Sequence, residues 1–293
     1  NIKILHIADG AVWKSLFLHG DIPLCADSRG VEMEIRLFNQ EKRIEFLYGM
    51  HKFAVTTPEA VYVAFPFYLN ESKIFFEAQG GMVSPGVNQL EGTASDWNTI
   101  QNFAAVRNNN SQIVFGSNDI PLVQFGAINT GKYYYKHIPE SSHIYSWVLN
   151  NYWTTNFKAA QEGEMKWKYY ISSSDDNSNG FATRFAWAQR IPLLTRVLPA
   201  GKESLEKRSQ SLLDIDLSNV ILINAKPSDD VLGLVLHLRE TNGENAIIDV
   251  DKLLKLNDYA NVLEVNVLEE EIAKLKKSIK LEPFETKFLK LKK

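Results

Sequence analysis

Residues 143–157 read His-Ile-Tyr-Ser-Trp-Val-Leu-Asn-Asn-Tyr-Trp-Thr-Thr-Asn-Phe, a stretch crowded with aromatic rings and side-chain amides and without charge after its histidine. Ile144, Tyr145, Trp147, Val148 and Leu149 predict a short buried strand, and Asn150, Asn151, Thr154, Thr155 and Asn156 follow where such a strand should end. Amides beside indole rings are what a sugar site needs, because hydroxyls want bidentate partners and the apolar face of a pyranose wants an aromatic platform. The structural alternative is the blander reading and is open as well. Buried asparagines close loops in β-sandwiches, and Trp153 would then be a core residue.

Upstream of this stretch the chain reads almost wholly as strands. In Val31-Glu-Met-Glu-Ile-Arg-Leu37 apolar residues fall on every second position, which puts one face on a core and the other in water and predicts antiparallel sheet. Ile44, Phe46 and Tyr48 repeat the pattern, and Val61-Tyr-Val-Ala-Phe-Pro-Phe67 is apolar enough to be covered on both faces, with Pro66 marking an edge or bulge. Lys73–Glu77 predicts a further strand, and Tyr68-Leu-Asn-Glu71 before it has the length and polarity of a hairpin loop. Between Gln79 and Gln101 periodicity disappears. Long loops that hold together inside compact domains tend to be functional, and here Ser95-Asp96-Trp97 either caps a short helix or offers a carboxylate beside an indole.

Downstream, strands are expected at Gln112–Phe115, Pro121–Phe125 and Lys166–Ile171, with Phe181–Gln189 readable as strand or short helix. Asp175–Gly180 is a polar turn whose acidic pair lacks the spacing of a calcium loop. Leu198–Gln210 is polar and charged with Pro and Gly at its start, and reads as a linker between a large core and a smaller one. After it come short strands separated by turns. Asn242-Gly243 carries a hairpin signal, and His237 and Arg239 are expected to face solvent between Leu234, Leu236 and Leu238.

Composition sets the outer limits. A chain of 293 residues with 45% hydrophobic and 23% charged residues can bury a sizeable interior and is neither disordered nor fibrous. A net charge of -3 creates no field that gathers nucleic acid or an anionic membrane, and no apolar run reaches membrane-spanning length. From Ile272 to Lys293 eight lysines face two glutamates, but their alternation with Leu281, Phe288, Leu289 and Leu291 describes a wet strand face rather than a nucleic-acid site. The single Cys25 excludes an internal disulfide and favours a reducing, cytoplasmic compartment without fixing one. The chain opens inside an expected strand with neither an initiator Met nor a signal peptide, as a piece of something larger would.

Four motifs in order, Ala60-Val-Tyr-Val-Ala-Phe-Pro-Phe67, Pro85-Gly-Val-Asn-Gln-Leu-Glu-Gly-Thr-Ala-Ser-Asp-Trp97, Asp119-Ile-Pro-Leu122 and Tyr145–Phe157, resemble the C-terminal half of bacterial-type glycoside hydrolase family 38 α-mannosidases. Ile223-Asn-Ala-Lys-Pro-Ser228 and Glu282-Pro-Phe284 are similar to that family's last small β domain. The resemblance implies an all-β fold, with a large galactose-mutarotase-like super-sandwich over residues 1–205 and a small β-sandwich over 206–293. It also implies that retaining hydrolysis of α-mannosides, with its zinc and its Asp nucleophile, belongs to an N-terminal α/β domain absent here, so that the partners are that domain and a mannoside. This chain is then expected to hold no cofactor. His19-Gly-Asp21 has a ligand-like spacing, but one pair cannot fill a zinc site that needs three protein ligands. Retaining hydrolysis needs two carboxyl groups about 5 Å apart, and a sandwich loop offers at best Asp96.

Two functions remain from these residues. In one the chain is the non-catalytic β region of an α-mannosidase-like hydrolase, with Asp96, Trp97, Asn151, Trp153 and Asn156 at the rim of the active site as candidate substrate-binding residues. In the other it is a stand-alone carbohydrate-binding or structural module.

Overall fold

The computed structural model describes residues 2–23, 25, 30–152, 156, 158–197, 217–254 and 259–293. They fall into two compact units, Asn1–Asn177 with Phe185–Ile191, and Ser178–Arg184 with Pro192–Lys293. The polar linker expected at Leu198–Gln210, and with it a boundary at 205, lies outside the described residues.

The first unit contains β1 (Ile2–Asp9), β2 (Trp13–Gly20), β3 (Val31–Phe38), β4 (Ile44–Lys52), β5 (Ala60–Phe65), β6 (Lys73–Ala78), β7 (Gly81–Val83), β8 (Asn98–Thr99), β9 (Ala104–Arg107), β10 (Gln112–Gly116), β11 (Leu122–Phe125), β12 (Ile144–Asn150) and β13 (Gly163–Ser174). They build a nine-stranded antiparallel sheet in the order β1-β2-β3-β4-β13-β10-β9-β6-β7 and a four-stranded sheet in the order β5-β12-β11-β8. The predicted alternation of residues 31–37 is what the large sheet uses. Ile35 pairs with Phe46 and Met33 with Tyr48 on the inner face, while Arg36 on the outer face donates to both carboxylate oxygens of Glu34 at 2.8 Å.

Between the sheets the core draws on both. Phe65, Val123, Phe125 and Ile144 of the small sheet meet Ile74, Phe76, Phe115, Trp167 and Tyr169 of the large one. The Phe65 and Phe115 rings lie 4.6 Å apart, and the Tyr169 hydroxyl crosses the layer to donate to Ser146 Oγ at 2.8 Å. Aromatic pairs of this kind add to the area term that drives the two layers together. Tyr68–Glu71 was expected to be a hairpin loop. It instead carries the chain from β5 of the small sheet to β6 of the large one, because each strand finds its partners elsewhere: β5 pairs with β12, and β6 with β9 and β7.

Phe181–Gln189, open in the sequence between strand and helix, is helical within α1 (Asn179–Arg190). The Ser178 hydroxyl accepts the Phe181 N–H at 3.1 Å as its N-cap.

The second unit contains β14 (Val220–Pro227), β15 (Gly233–Glu240), β16 (Ala246–Asp249), α2 (Val250–Leu254), β17 (Asn261–Val265), β18 (Glu271–Leu275), β19 (Ser278–Leu281) and β20 (Thr286–Lys292). A five-stranded sheet, β14-β15-β20-β17-β18, packs Leu236, Leu238, Val262, Leu289 and Leu291 against Ala246, Ile248, Ile279 and Leu281 of the two-stranded sheet β16-β19. This is a small β-sandwich.

Two local expectations fail in this unit. Asn242-Gly243 does not close a hairpin, since β15 pairs with β14 and β20 whereas β16 pairs with β19. The cause is Glu240, whose buried carboxylate accepts the N–H groups of Asn242 and Gly243 at 2.7 and 2.8 Å and turns the chain between sheets. Arg239, expected in solvent, is buried, and His237 stacks on Phe288 at 4.5 Å. Among the described residues no helix is long and apolar enough to cross a membrane.

Candidate functional site

The small sheet has an inner face in the core and an outer face that carries Tyr62, Gln124 and Trp147. These residues alternate with Val61, Val63, Val123 and Phe125, which point inward, as period two requires. The outer face is not left to water. Gln124 and Trp147 are buried, because residues 84–97 and 126–143 lie across it.

The covering segments are held by a connected polar network. Gln124 Oε1 accepts the Asn129 N–H at 2.6 Å, and Gln124 Nε2 donates to Thr130 Oγ1 and, at 3.3 Å, to the Tyr62 hydroxyl. Tyr62 and Thr130 share a hydrogen bond of 2.7 Å. Burial raises the Tyr62 phenol above its ordinary pKa, and the Thr130 contact works the other way. His137 Nε2 lies 3.1 Å from the Phe125 carbonyl and 3.0 Å from Asn129 Nδ2, and the His137 N–H donates to Ser95 Oγ at 2.7 Å. Ser95 N–H in turn donates to the Tyr134 carbonyl at 2.8 Å. Gly86 lets the first segment press against the second: its φ is 68°, and a Cβ there would fall 2.3 Å from the His137 carbonyl oxygen.

Within this frame Asp96 and Trp97 occupy distinctive positions. The Trp97 ring meets Trp147 edge-on at 5.8 Å, Trp147 stacks on Tyr62 at 5.7 Å, and Tyr152 follows at 6.1 Å from Trp147. Asp96 is 1% exposed, and neither carboxylate oxygen has a hydrogen-bond partner among the described residues. Ser95, next to it in sequence, is bonded by the His137 N–H, whereas the indole N–H of Trp147, whose ring meets Trp97, is likewise buried without a partner.

The asparagine cluster lies elsewhere and is engaged differently. Asn151 Oδ1 accepts the Glu59 N–H at 2.6 Å, and its Nδ2 faces the carbonyls of Val55, Thr57 and Ala159 at 2.7, 3.0 and 3.2 Å. Its amide is fully used on backbone. Glu59, held in this way, pairs with the buried ammonium of Lys52. Asp96, through Ser95 and His137, belongs to the Phe125–Ile144 end of the small sheet. Asn151 follows the other end of β12, next to Tyr152, the last ring of the aromatic run. The structure thus brings Trp97 to that run, while Asn151 spends its amide on backbone. Asn156 is exposed with a φ of 69°, and Trp153 lies outside the described residues.

A cleft that the sequence did not announce opens at the Phe125–Ile144 end of the sandwich. Its volume is about 620 Å³, and Phe67, Tyr68, Glu71, Phe75, Ile138 and His143 line it. Its walls come from three connections, two that cross between the sheets (β5 to β6 and β7 to β8) and one within the small sheet (β11 to β12), which no single stretch of sequence displays together. Gln124, Tyr62 and Asn129 carry no motif that marks them as site residues in the sequence. The alternation around Gln124 is visible, but it reads as a solvent face until the covering segment is known.

His19 and Asp21 lie 3.7 Å apart. Among the described residues no group of three or more His, Cys, Asp and Glu side chains converges to hold a metal ion, so these residues do not fit a zinc site.

No family model matches the sequence, and no curated protein matches it. In structure the chain is similar to an α-mannosidase from Enterococcus faecalis V583, with a TM-score of 0.66 at 14% identity over 99% of this chain and 34% of that one. It is similar also to a protein in glycosyl hydrolase family 38 from Enterococcus faecalis, with a TM-score of 0.64 at 14% identity over 99% of this chain and 36% of that one. The chain therefore spans about a third of the length of the structures it matches. The fold that the motif resemblance implied is met in architecture: all-β, a large two-sheet sandwich followed by a small sandwich.

Proposed function

We propose that this chain is the non-catalytic β region of an α-mannosidase-like glycoside hydrolase. It supports a zinc-dependent catalytic domain elsewhere in the same polypeptide and helps to hold a mannoside at the rim of that domain's active site. The observation that carries the reading is coverage: 99% of this chain aligns in fold with only 34–36% of two family 38 structures. The zinc of such an enzyme would belong to that other domain, as the resemblance to family 38 implies.

Asp96 supports a carbohydrate role. A carboxylate buried without a partner costs free energy, and such groups persist where a function keeps them. Trp97, half-buried beside Trp147, supplies the apolar plane a sugar ring stacks on. Asn151 has no amide capacity left to offer a ligand.

The test compares the full-length polypeptide with the 293-residue chain on aryl α-mannosides. The expected result is zinc-dependent turnover by the first and none by the second. In the full-length polypeptide Asp96→Asn and Trp97→Ala should raise KM or lower kcat while Tm stays within about 3 °C. Turnover by the 293-residue chain alone, or an inert full-length polypeptide, would defeat the reading. Unchanged kinetics in both variants would remove the rim role and leave support alone.

A further inference from the structure

The inner face of the large sheet does not end where the small sheet ends. Residues that pair directly across antiparallel strands put their side chains on one face. One row runs Ile7, Leu16, Ile35, Phe46, Tyr169. The next runs Ile4, Leu18, Met33, Tyr48, Trp167. Phe46, Tyr48, Trp167 and Tyr169 belong to the core beneath the small sheet, yet the same rows remain apolar out to β1. There Ile2, Ile4 and Ile7 are 81%, 65% and 72% exposed.

The opposite face of these strands is different in kind. Its rows run Ala8, Ser15, Arg36, Glu45, then His6, Phe17, Glu34, Leu47, then Lys3, His19, Glu32, Gly49, so polar and charged side chains predominate with Phe17 and Leu47 among them. One side of β1–β3 is therefore largely polar and the other largely apolar, and along the second side, among the described residues, burial falls from half-buried Leu16, Leu18, Met33 and Ile35 to the exposed isoleucines of β1.

We infer that this apolar overhang of β1, β2 and β3 is the docking surface for a neighbouring domain of the same polypeptide. Three strands of eight residues present a footprint of about 400 Å², at about 4.8 Å between strands and about 3.3 Å per residue. That is roughly half of the 800 Å² or so that each partner of a stable dimer commits, so a second copy of this chain is a poor occupant. A tethered domain needs less, because the linker keeps its effective concentration high. Pairing through the edge of β1 is also discouraged, since the register shift between Ile4 and His6 breaks the ladder there. Further polypeptide is present in both Enterococcus faecalis structures that share the fold, where this chain accounts for about a third of the length. The inference rests on the reading that this chain belongs to a longer hydrolase, and it names the surface by which the rest would be carried.

Hydrogen–deuterium exchange tests it, comparing β1–β3 in the 293-residue chain with the same residues in the full-length polypeptide. Amides of β1 and β2 should exchange at least about tenfold more slowly in the full-length polypeptide. A double variant, Ile4→Lys with Ile7→Lys, should leave the Tm of the 293-residue chain unchanged and abolish that added protection. Equal exchange in the two forms would overturn the inference. A concentration-dependent dimer of the 293-residue chain that protects the same strands would overturn it as well, because the occupant would be a second copy. A full-length polypeptide that protects β1–β3 but lacks α-mannosidase activity would defeat the functional reading and leave this one standing.

Discussion

Replacing Asn151 with alanine separates a sugar-binding role from a structural one. The substitution takes Oδ1 from the Glu59 N–H and removes the amide hydrogens that the carbonyls of Val55, Thr57 and Ala159 share. One buried N–H left unpaired costs about 1–3 kcal/mol and the bonds of the two amide hydrogens about 1 kcal/mol each, which sums to about 3–5 kcal/mol. Glu59 also loses the contact that places its carboxylate on buried Lys52, so the loss is expected in the upper part of that range. At about 2–4 °C per kcal/mol for a domain of this size, the first unit should melt about 6–20 °C lower. Scanning calorimetry measures this, with the second unit's transition as an internal reference. Asn151→Asp should also destabilise, because its carboxylate can accept the Glu59 N–H but turns an oxygen toward three carbonyls. A Tm within about 2 °C of the parent, together with lost carbohydrate binding, would refute the structural assignment.

Two further outcomes concern the second unit. Glu240→Ala should lower its stability by about 3–5 kcal/mol in urea titrations, since the carboxylate accepts the N–H groups of Asn242, Gly243 and Phe284 at 2.7–2.8 Å and the Asn219 amide at 3.1 Å. In the ion cluster on β14 and β20, the Lys226 ammonium, with Lys290 assisting and burial opposing, holds the Glu269 carboxyl down at about 2. A folded-state pKa below the unfolded one contributes stability above the ordinary carboxylate value of 4.5, and that contribution is lost as pH falls toward about 2. Thermal melts across that window should show the second unit falling, and Glu269→Gln should lower its Tm at neutral pH and flatten the fall. A slope unchanged by the substitution would count against the assignment.

What could be read from the sequence was periodicity. Val31–Leu37 alternates because one face of β3 is buried and the other is not, and the pattern places the strand and its faces without any knowledge of its neighbours. Partner choice is different, because it depends on contacts between distant residues. Asn242-Gly243 has the chemistry of a tight hairpin, and only the Glu240 carboxylate, reaching forward to their amides, shows why the chain leaves the sheet there. Tyr68–Glu71 failed as a hairpin for the same reason, since β6 has better partners in the larger sheet. Arg239 shows the limit of alternation itself: period two assigns a face, but not whether that face meets water.

The candidate residues divide along the same line. Asn150–Asn156 was legible as a strand end rich in amides, and Asn151 closes its loop as buried asparagines do. Around Trp97 the network of Gln124, Asn129, Thr130, Ser95 and His137 gives each of these side chains a partner, which is how a buried polar cluster specifies one arrangement of two covering segments. Asp96 stands inside that arrangement without a partner. The indole N–H of Trp147, whose ring meets Trp97, is also buried and unbonded, so this place leaves over both a donor and an acceptor. Groups left over in this way are where a ligand or a neighbouring domain has something to supply.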